Sequence, residues 1–453
     1  MEQYESLPFY GRGEKIINTR IALRVRKSTM AVLLIIQVLA LIGCTPVPAT
    51  FETLPTPPAT VVLDTAIPTQ LPETPTHTAT PFVPKAVIKI VVHSPLSGNQ
   101  AIFGADILRG AQLAVQQLAG PLAEQGYQIE LVPYDDRNNL EAALANTIEI
   151  VADPEILCSV GHLSSRITVQ TSEMYHQAGL ALLAPSTTST NLTDRRYLEI
   201  NRVIGRIDRQ GIAGAQFAKA QGFTSVYIIT EKDEYGLKNA ENFGLEADRI
   251  GIQVLGMLIP DANDTLDSVV SRMMAVNPEL VYFAGTAEQA ILFFKAARAA
   301  GYTGAFLGLD DLNNPPLMDL ADPSVVEGGG MYFTILTAPA NFYPDAANFI
   351  KNFEVHYNTS PLLFAARAYD ATGICIKAIE EASKAKGGEI PTRTEVVSAI
   401  RALRNYKGIT GTYTFNDQGD LTLAKYFVYK VVSVDTTKWD QNFIIASYDV
   451  APR

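Results

Sequence analysis

Hydroxyl side chains follow two apolar segments of this chain. Ser164 and Ser165 come after the apolar run 156–160, and Ser186, Thr187 and Thr188 follow the apolar run 180–184. Hydroxyl groups and the free backbone N–H groups of a helix N-terminus suit a small anion such as a carboxylate. Taken alone, Ser165 is explained as well by an ordinary helix N-cap, and 186–188 by a polar loop.

A second set of polar side chains follows later apolar segments. Tyr235 comes after 225–230, Thr286 after 280–284, and Asp310 and Asp311 directly after 305–309. A carboxylate and a tyrosine suit a cation, although the aspartate pair alone could be a capping or turn pair. The two sets of polar residues together would bind a ligand that carries a carboxylate and an ammonium group, as an α-amino acid does.

Short apolar runs alternate with helical patterns throughout the chain after residue 85. The predicted strands are 86–92, 127–133, 156–160, 180–184, 225–230, 252–259, 280–284 and 305–309, and the predicted helices between them are 106–118, 140–151, 235–250, 266–274 and 288–300. This alternation predicts an α/β fold with mostly parallel sheets that carry helices on both faces. Ligands of such sheets bind beyond the carboxyl ends of the strands, where both polar sets lie.

The pattern restarts after about residue 206, and some 370 residues exceed one ordinary core, so the sequence predicts two lobes. Helices predicted over 346–357 and 362–382 have no strand partners left in the second lobe and should return to the first. We therefore expect lobe 1 over 86–206 plus 334–427, and lobe 2 over 207–333 plus 428–453, with hinge crossings between them.

The first 43 residues predict a targeting signal. A basic segment with Arg24, Arg26 and Lys27 precedes an apolar run that ends in Leu41-Ile42-Gly43-Cys44. This order resembles a bacterial lipoprotein signal, which implies lipid attachment at Cys44 and an extracytoplasmic chain. The alternative is an uncleaved anchor helix.

A linker is predicted over 44–85. From Thr45 to Pro84 the chain has 10 prolines and 11 threonines and no apolar periodicity. Such a composition cannot offset its conformational entropy by burial, so the segment should be extended and hold the folded part away from the membrane.

The charge and the cysteines limit the possible partners. The net charge is −11, and the segment up to Gly43 carries six basic and three acidic residues, so the rest is near −14. The sequence contains no basic patch, so we do not expect nucleic-acid binding. Cys158 and Cys375 fall in a buried strand and an apolar helix, and we expect two buried thiols rather than a disulfide.

Enzyme chemistry has little support in the sequence. The five histidines fall in no metal-binding spacing, and the chain has neither a Gly-x-Ser-x-Gly elbow nor a Walker-A loop. His162 beside two serines is better explained as a structural residue than as part of a nucleophile pair. We therefore predict no enzymatic activity, no cofactor and no metal.

The chain from Lys89 to about Val431 resembles the leucine/isoleucine/valine-binding proteins that serve ATP-driven importers. The resemblance rests on Ile88-Lys89-Ile90, Pro95-Leu96-Ser97-Gly98, Tyr134-Asp135-Asp136, Gly161-His162-Leu163, Ala184-Pro185-Ser186, Glu234-Tyr235-Gly236, Gly411-Thr412-Tyr413 and Gly419-Asp420-Leu421. It implies a type I periplasmic-binding-protein fold and a branched-chain or other apolar amino acid as ligand.

The resemblance also implies a role for each site residue. Ser165 and Thr188, with backbone around Ser186, would hold the ligand carboxylate, and Thr187 is counted among the ligand-binding residues. Tyr235 and Asp310 would face its ammonium, and Phe103 and Phe364 would line the side-chain pocket. Two departures alter the site, because Thr286 stands where the family often has an aromatic residue and Arg166 replaces a small one.

The implied partners are the ligand, an importer's permease and ATPase as separate chains, and the membrane through the lipid on Cys44. The protein itself would be a monomer. The alternative is a ligand-sensing subunit that uses the same two-lobed clamp to report to a signalling partner.

Overall fold

The computed structural model describes residues 84–452. The predicted signal, Cys44 and nearly all of the linker therefore lie outside the described residues. Within the described part, none of the helices combines the length and the apolar character that a membrane span requires.

The first sheet contains the strands of lobe 1 in the order β2-β1-β3-β4-β5, and all its pairs are parallel. Its strands are β1 Ala86–Ser94, β2 Tyr127–Asp135, β3 Ile156–Gly161, β4 Ala181–Ala184 and β5 Ile200–Arg202. Ile90 and Val91 illustrate why β1 has neighbouring apolar residues at its centre, since each is fully buried in a different core cluster on opposite faces of the sheet.

The second sheet has the order β14-β13-β10-β9-β8-β6-β7, parallel except at the pairs that involve β13. Its strands are β6 Ser225–Thr230, β7 Gln253–Leu258, β8 Leu280–Ala284, β9 Ala305–Gly308, β10 Met331–Ile335, β13 Ala424–Val431 and β14 Phe443–Val450, and β11 Tyr406–Lys407 and β12 Thr412–Tyr413 form a small separate hairpin. Ile228 and Tyr282 face one core cluster, while Ile229 and Phe283 face the other. Both sheets are thus covered on both faces.

The helices lie between the strands, as the alternation predicts. Their bounds are α1 Ala101–Leu118, α2 Gly120–Glu124, α3 Leu140–Ala152, α4 Ser165–Gln177, α5 Gln210–Ala220, α6 Glu234–Ile250, α7 Leu266–Val276, α8 Ala287–Ala299, α9 Pro315–Met318, α10 Ala347–Tyr357, α11 Ala365–Ala385 and α12 Arg393–Ala402. Helix α1 begins five residues before the predicted start at 106, so Phe103 lies in its first turn. The prediction of two α/β lobes is confirmed.

The chain passes between the two sheets three times within the described residues. The crossings follow β5, follow β10 and precede β13, because β10 and β13 pair with each other in the second sheet. The expected lobe boundaries at 333/334 and 427/428 therefore fall inside β10 and β13. Three crossings side by side are the geometry of a hinge.

The expectation of two free buried thiols is wrong. Cys158 on β3 and Cys375 on α11 form a disulfide, with Cα atoms 6.0 Å apart and 217 residues between them in sequence. Both residues are fully buried in the same core cluster. The sequence could not reveal the pair because it depends on α11 packing against the first sheet.

Candidate ligand-binding cleft

The turn after β3 presents the first hydroxyl of the site. Gly161 is required there, because a Cβ atom would lie 2.1 Å from the backbone oxygen of His93. Ser164 occupies the N-cap position of α4 and Ser165 is its first residue. The Ser165 Oγ accepts a hydrogen bond from the Thr188 backbone N at 3.3 Å, so the turns after β3 and β4 meet. Ser165 is therefore not the helix cap.

Ser186 and Thr187 direct their side chains into lobe 1. The Ser186 Oγ donates to the backbone oxygens of His162, at 2.7 Å, and Leu163, at 3.0 Å. The Thr187 hydroxyl bonds that of Thr168 at 2.6 Å and is fully buried. These two residues shape the loop, and Thr188 is the one of the three that reaches the cleft.

A buried arginine fixes this loop through hydrogen bonds to its backbone. Arg202, fully buried at the end of β5, donates to the backbone oxygens of Thr187 at 3.1 Å and Ser189 at 2.8 Å. Its Nε lies 2.7 Å from Oδ1 of Asp420, a nearly fully buried carboxylate. The arginine thereby fixes the backbone on both sides of Thr188.

The opposite wall of the cleft centres on Asp310, which begins the short turn after β9. Its Oδ1 accepts hydrogen bonds from the Tyr235 hydroxyl and from Gln210 Nε2, both at 2.6 Å. Gln210 is itself fully buried, and its Oε1 accepts from Thr334 Oγ1 at 2.9 Å. Since both of these side-chain bonds fall on Oδ1, Oδ2 is the oxygen left to meet a ligand.

The start of α6 places Tyr235. The Asp233 side chain caps the helix by accepting from the Gly236 backbone N at 2.6 Å. A Cβ atom on Gly236 would lie 2.6 Å from the Ala284 backbone oxygen, so glycine lets the first turn sit against the end of β8. The tyrosine hydroxyl is thus directed at the turn after β9.

Burial dominates the electrostatics of this wall. It raises the pKa of Asp310, and the nearby charge of Asp311 acts in the same direction, while the hydrogen bonds from Tyr235 and Gln210 oppose the shift. Burial and the Asp310 charge also raise the pKa of Tyr235 well above its ordinary value. Among the described residues Asp310 forms no ion pair. A cation supplied by a ligand would therefore offset the free-energy cost of burying the Asp310 charge.

The two walls enclose a cleft of about 570 Å³ that contains four of the predicted ligand residues, Ser165, Thr188, Tyr235 and Asp310. Hydroxyls lie on one side and the carboxylate on the other, which is the arrangement predicted for the two ends of an amino acid. The remaining lining residues are Ser189, Thr190, Asn191, Ile207, Asp208, Glu234, Lys238, Asp311, Asn313 and Asn314.

The other predicted positions do not line this cleft. The Thr286 hydroxyl donates to Glu231 Oε1 at 2.7 Å. Phe103 and Phe364 pack edge to face, with ring centroids 6.0 Å apart, and Asp106 of α1 fixes the second by accepting from its backbone N. Arg166 is exposed.

His162 belongs to a buried polar cluster beneath the site. Its Nδ1 lies 2.7 Å from Asp136 Oδ2 and its Nε2 lies 3.0 Å from Thr171 Oγ1. The ligand atoms of His93, Asp136 and His162 lie within 4.8 Å of one another, a spacing that a metal ion could use. However, both ring nitrogens of His93 are also engaged, by Tyr175 and Asn146. The hydrogen bonds give the cluster a structural role, in agreement with the expectation for His162.

Sequence reasoning missed two kinds of residue at the site. Gln210 binds Asp310, 100 residues away, and Arg202 binds the backbone of the loop 187–189, 13 to 15 residues away. Nothing in the local sequence around either residue indicates these contacts. Asn313 and Asn314 follow Asp310 so closely that their position after β9 could have indicated them.

Comparison with known proteins identifies the family of this chain. Residues 87–437 match the family model described as "Periplasmic binding protein". A "Leucine-, isoleucine-, valine-, threonine-, and alanine-binding protein" from Pseudomonas aeruginosa is 27% identical over 347 residues, which cover 76% of this chain and 89% of that protein.

Solved structures share the fold. A leucine-binding protein from Thermotoga maritima superposes with a TM-score of 0.57 at 24% identity, covering 80% of this chain and 98% of that one. An ABC transporter substrate-binding protein from Desulfitobacterium hafniense in complex with Leu gives 0.59 at 23% identity, covering 76% and 97%.

The family match covers most of the chain, and its members are binding proteins of transporters rather than enzymes, which confirms the prediction of no enzymatic activity. Periplasmic binding proteins act outside the cytoplasm, where disulfides such as Cys158–Cys375 persist. The chain has the type I periplasmic-binding-protein fold and is a solute-binding protein that belongs to the periplasmic binding protein family.

Proposed function

We propose that this protein captures an amino acid, or a small molecule with the same two charges, between its lobes. The ligand carboxylate lies against Ser165 and Thr188 at the start of α4, and the ammonium lies against Asp310 and Tyr235. Binding favours the closed arrangement of the lobes, since only that arrangement brings both walls onto the ligand.

The observation that carries the proposal is the state of Asp310. Its carboxylate is half-buried, is fixed by two hydrogen bonds of 2.6 Å on one oxygen, and lines a cleft shared with a hydroxyl wall. Lobe closure would remove this carboxylate from the remaining water, which is costly without a cation, and a ligand ammonium supplies that charge through a charge-assisted hydrogen bond. A neutral or purely anionic ligand would leave it unpaired.

Calorimetry with altered ligands tests this assignment on the wild-type protein. The twenty common amino acids are titrated first, and the tightest one is then compared with its deaminated acid and its carboxamide. Each analogue should bind at least about tenfold more weakly, because each removes one end of the contact. Binding of the deaminated acid as tight as that of the amino acid would exclude the ammonium contact.

We infer that the captured solute is delivered to an ABC importer. Support comes from the family match and from the curated relative, whose name describes amino acid binding. Uptake of the labelled ligand should be lost when the gene is deleted and restored by wild type but not by Asp310→Asn. Unchanged uptake after deletion would instead favour a sensing role.

We also propose that a lipid on Cys44 holds the mature protein at the membrane and that it acts as a monomer. The basic, apolar and Leu41-Ile42-Gly43-Cys44 order supports the anchor. Cys44→Ala should move the protein from the membrane fraction to the soluble fraction. The anchor is excluded if labelled fatty acid never appears on the wild-type protein.

A further inference from the structure

Most of the residues that line the rest of the cleft have polar side chains. Among the described residues that line it, Ile207 is the only one with a purely aliphatic side chain. The two phenylalanines expected to form an apolar pocket, Phe103 and Phe364, pack on each other outside this lining. The described lining therefore offers no cluster of aliphatic side chains to a branched ligand side chain.

Three amides on this surface have unused hydrogen-bonding capacity. Asn191 lies on the loop after β4, and Asn313 and Asn314 follow the Asp310 turn, so they approach the cleft from both lobes. Among the described residues, none forms a hydrogen bond with the side-chain amide of any of the three. Water can reach all three amides, since Asn191 and Asn313 are exposed and Asn314 is half-buried.

Lobe closure would remove the water that can hydrogen-bond these amides. Expelling water from the cleft leaves each amide without a partner unless the ligand provides one. A site built to hydrogen-bond a ligand group discriminates strongly against an analogue that lacks it, because its own polar groups are then left unpaired. A branched-chain hydrocarbon can satisfy none of them.

We propose that the ligand is an amino acid with a hydrogen-bonding side chain, of the carboxamide or hydroxyl class, rather than a branched-chain amino acid. This inference rests on the proposed amino acid function. It adds that the polar lining around Asn191, Asn313 and Asn314 selects the side chain, while Ser165, Thr188, Tyr235 and Asp310 hold the two charged groups common to all amino acids.

Calorimetry with ligands of matched shape tests the proposal. Asparagine and leucine have similarly branched side chains, as do threonine and valine, and the full set of amino acids is titrated beside these pairs. The tightest ligand with a polar side chain should bind at least about tenfold better than leucine, isoleucine or valine. If any of these three binds as tightly as the best polar amino acid, the side-chain proposal is overturned while the amino acid function stands. If no amino acid binds, the proposed function fails and this inference fails with it.

A variant on the amide surface provides a second measurement. Asn314→Leu should reduce the ratio of polar to branched-chain affinity at least about threefold, because it replaces one of the three amides by hydrocarbon. Asn348→Leu, at an exposed position of α10, is the matched control and should leave the ratio unchanged. An unchanged ratio in Asn314→Leu would count against the assignment of this surface to the side chain.

Discussion

Replacing Asp310 by asparagine should weaken amino acid binding without disturbing the fold. Asparagine keeps an oxygen that can accept the 2.6 Å hydrogen bonds from Tyr235 and Gln210, so the local packing is preserved. What is lost is both the negative charge and the acceptor at the Oδ2 position, where asparagine places an NH2 group that cannot accept from the ligand ammonium. A hydrogen bond to a charged group contributes about 1.5–3 kcal/mol. The expected loss is therefore about 1.5–3 kcal/mol, or roughly 10- to 150-fold in Kd.

The pH dependence of binding gives the same residue a second signature. Because burial raises the pKa of Asp310, a larger fraction of this carboxyl is protonated at mildly acidic pH than of an exposed aspartate. Only the ionised form pairs with an ammonium, so wild-type affinity should fall as the pH is lowered through this pKa. In Asp310→Asn that part of the pH dependence should be absent.

Calorimetry of wild type, Asp310→Asn and the exposed control Asp319→Asn measures both effects. The control should match wild type, and the deaminated acid should bind wild type and Asp310→Asn about equally. The reasoning is refuted if Asp310→Asn binds the best amino acid within about twofold of wild type, or if its affinity keeps the same pH dependence.

Three further predictions concern groups that support the cleft. Arg202→Met should lower the free energy of unfolding by about 1–3 kcal/mol, because the backbone oxygens of Thr187 and Ser189 lose their donor and Asp420 keeps only Arg206 as an ion-pair partner among the described residues, whereas exposed Arg196→Met should change it by less than about 0.5 kcal/mol; urea denaturation measures both, and equal effects would contradict the role of Arg202. Cys158→Ala/Cys375→Ala should lower the free energy of unfolding by about 2–5 kcal/mol, since the disulfide closes a segment of 217 residues, and wild type under reducing conditions should lose stability similarly; no loss in either case would argue against the bond. Burial lowers the pKa of His162 to about 3, so the unfolded chain takes up a proton there as the pH falls below about 6.5 while the folded chain does not. Between pH 7 and 5 this should cost about 2 kcal/mol, a contribution that His162→Gln removes, while the contribution of buried His93, whose pKa burial also lowers, remains. The exposed control His356→Gln should keep the full wild-type dependence, and urea titrations at both pH values would contradict the reasoning if His162→Gln loses as much stability between them as wild type.

The sequence by itself determined the two α/β lobes and the location of their polar ends. Strands such as 280–284 are apolar throughout because both faces of a parallel sheet are covered, and this local pattern can be recognised without knowing the partner strands. Since the carboxyl ends of parallel strands meet at one edge, residues that directly follow a strand or open the next helix come close together. That rule is enough to bring Ser165, Thr188, Tyr235 and Asp310 to one cleft.

Only the tertiary structure decided which long-range partners these elements find and where their side chains point. Ser186 and Thr188 stand two residues apart, yet one hydroxyl bonds backbone in lobe 1 while the other residue lines the cleft, because the packing of the loop on Arg202 sets the direction of each. Cys158 and Cys375 pair across 217 residues, and Gln210 reaches Asp310 across 100. Such contacts depend on how the helices and the segments that cross between the lobes pack against the sheets. Local propensity and residue spacing do not predict that packing.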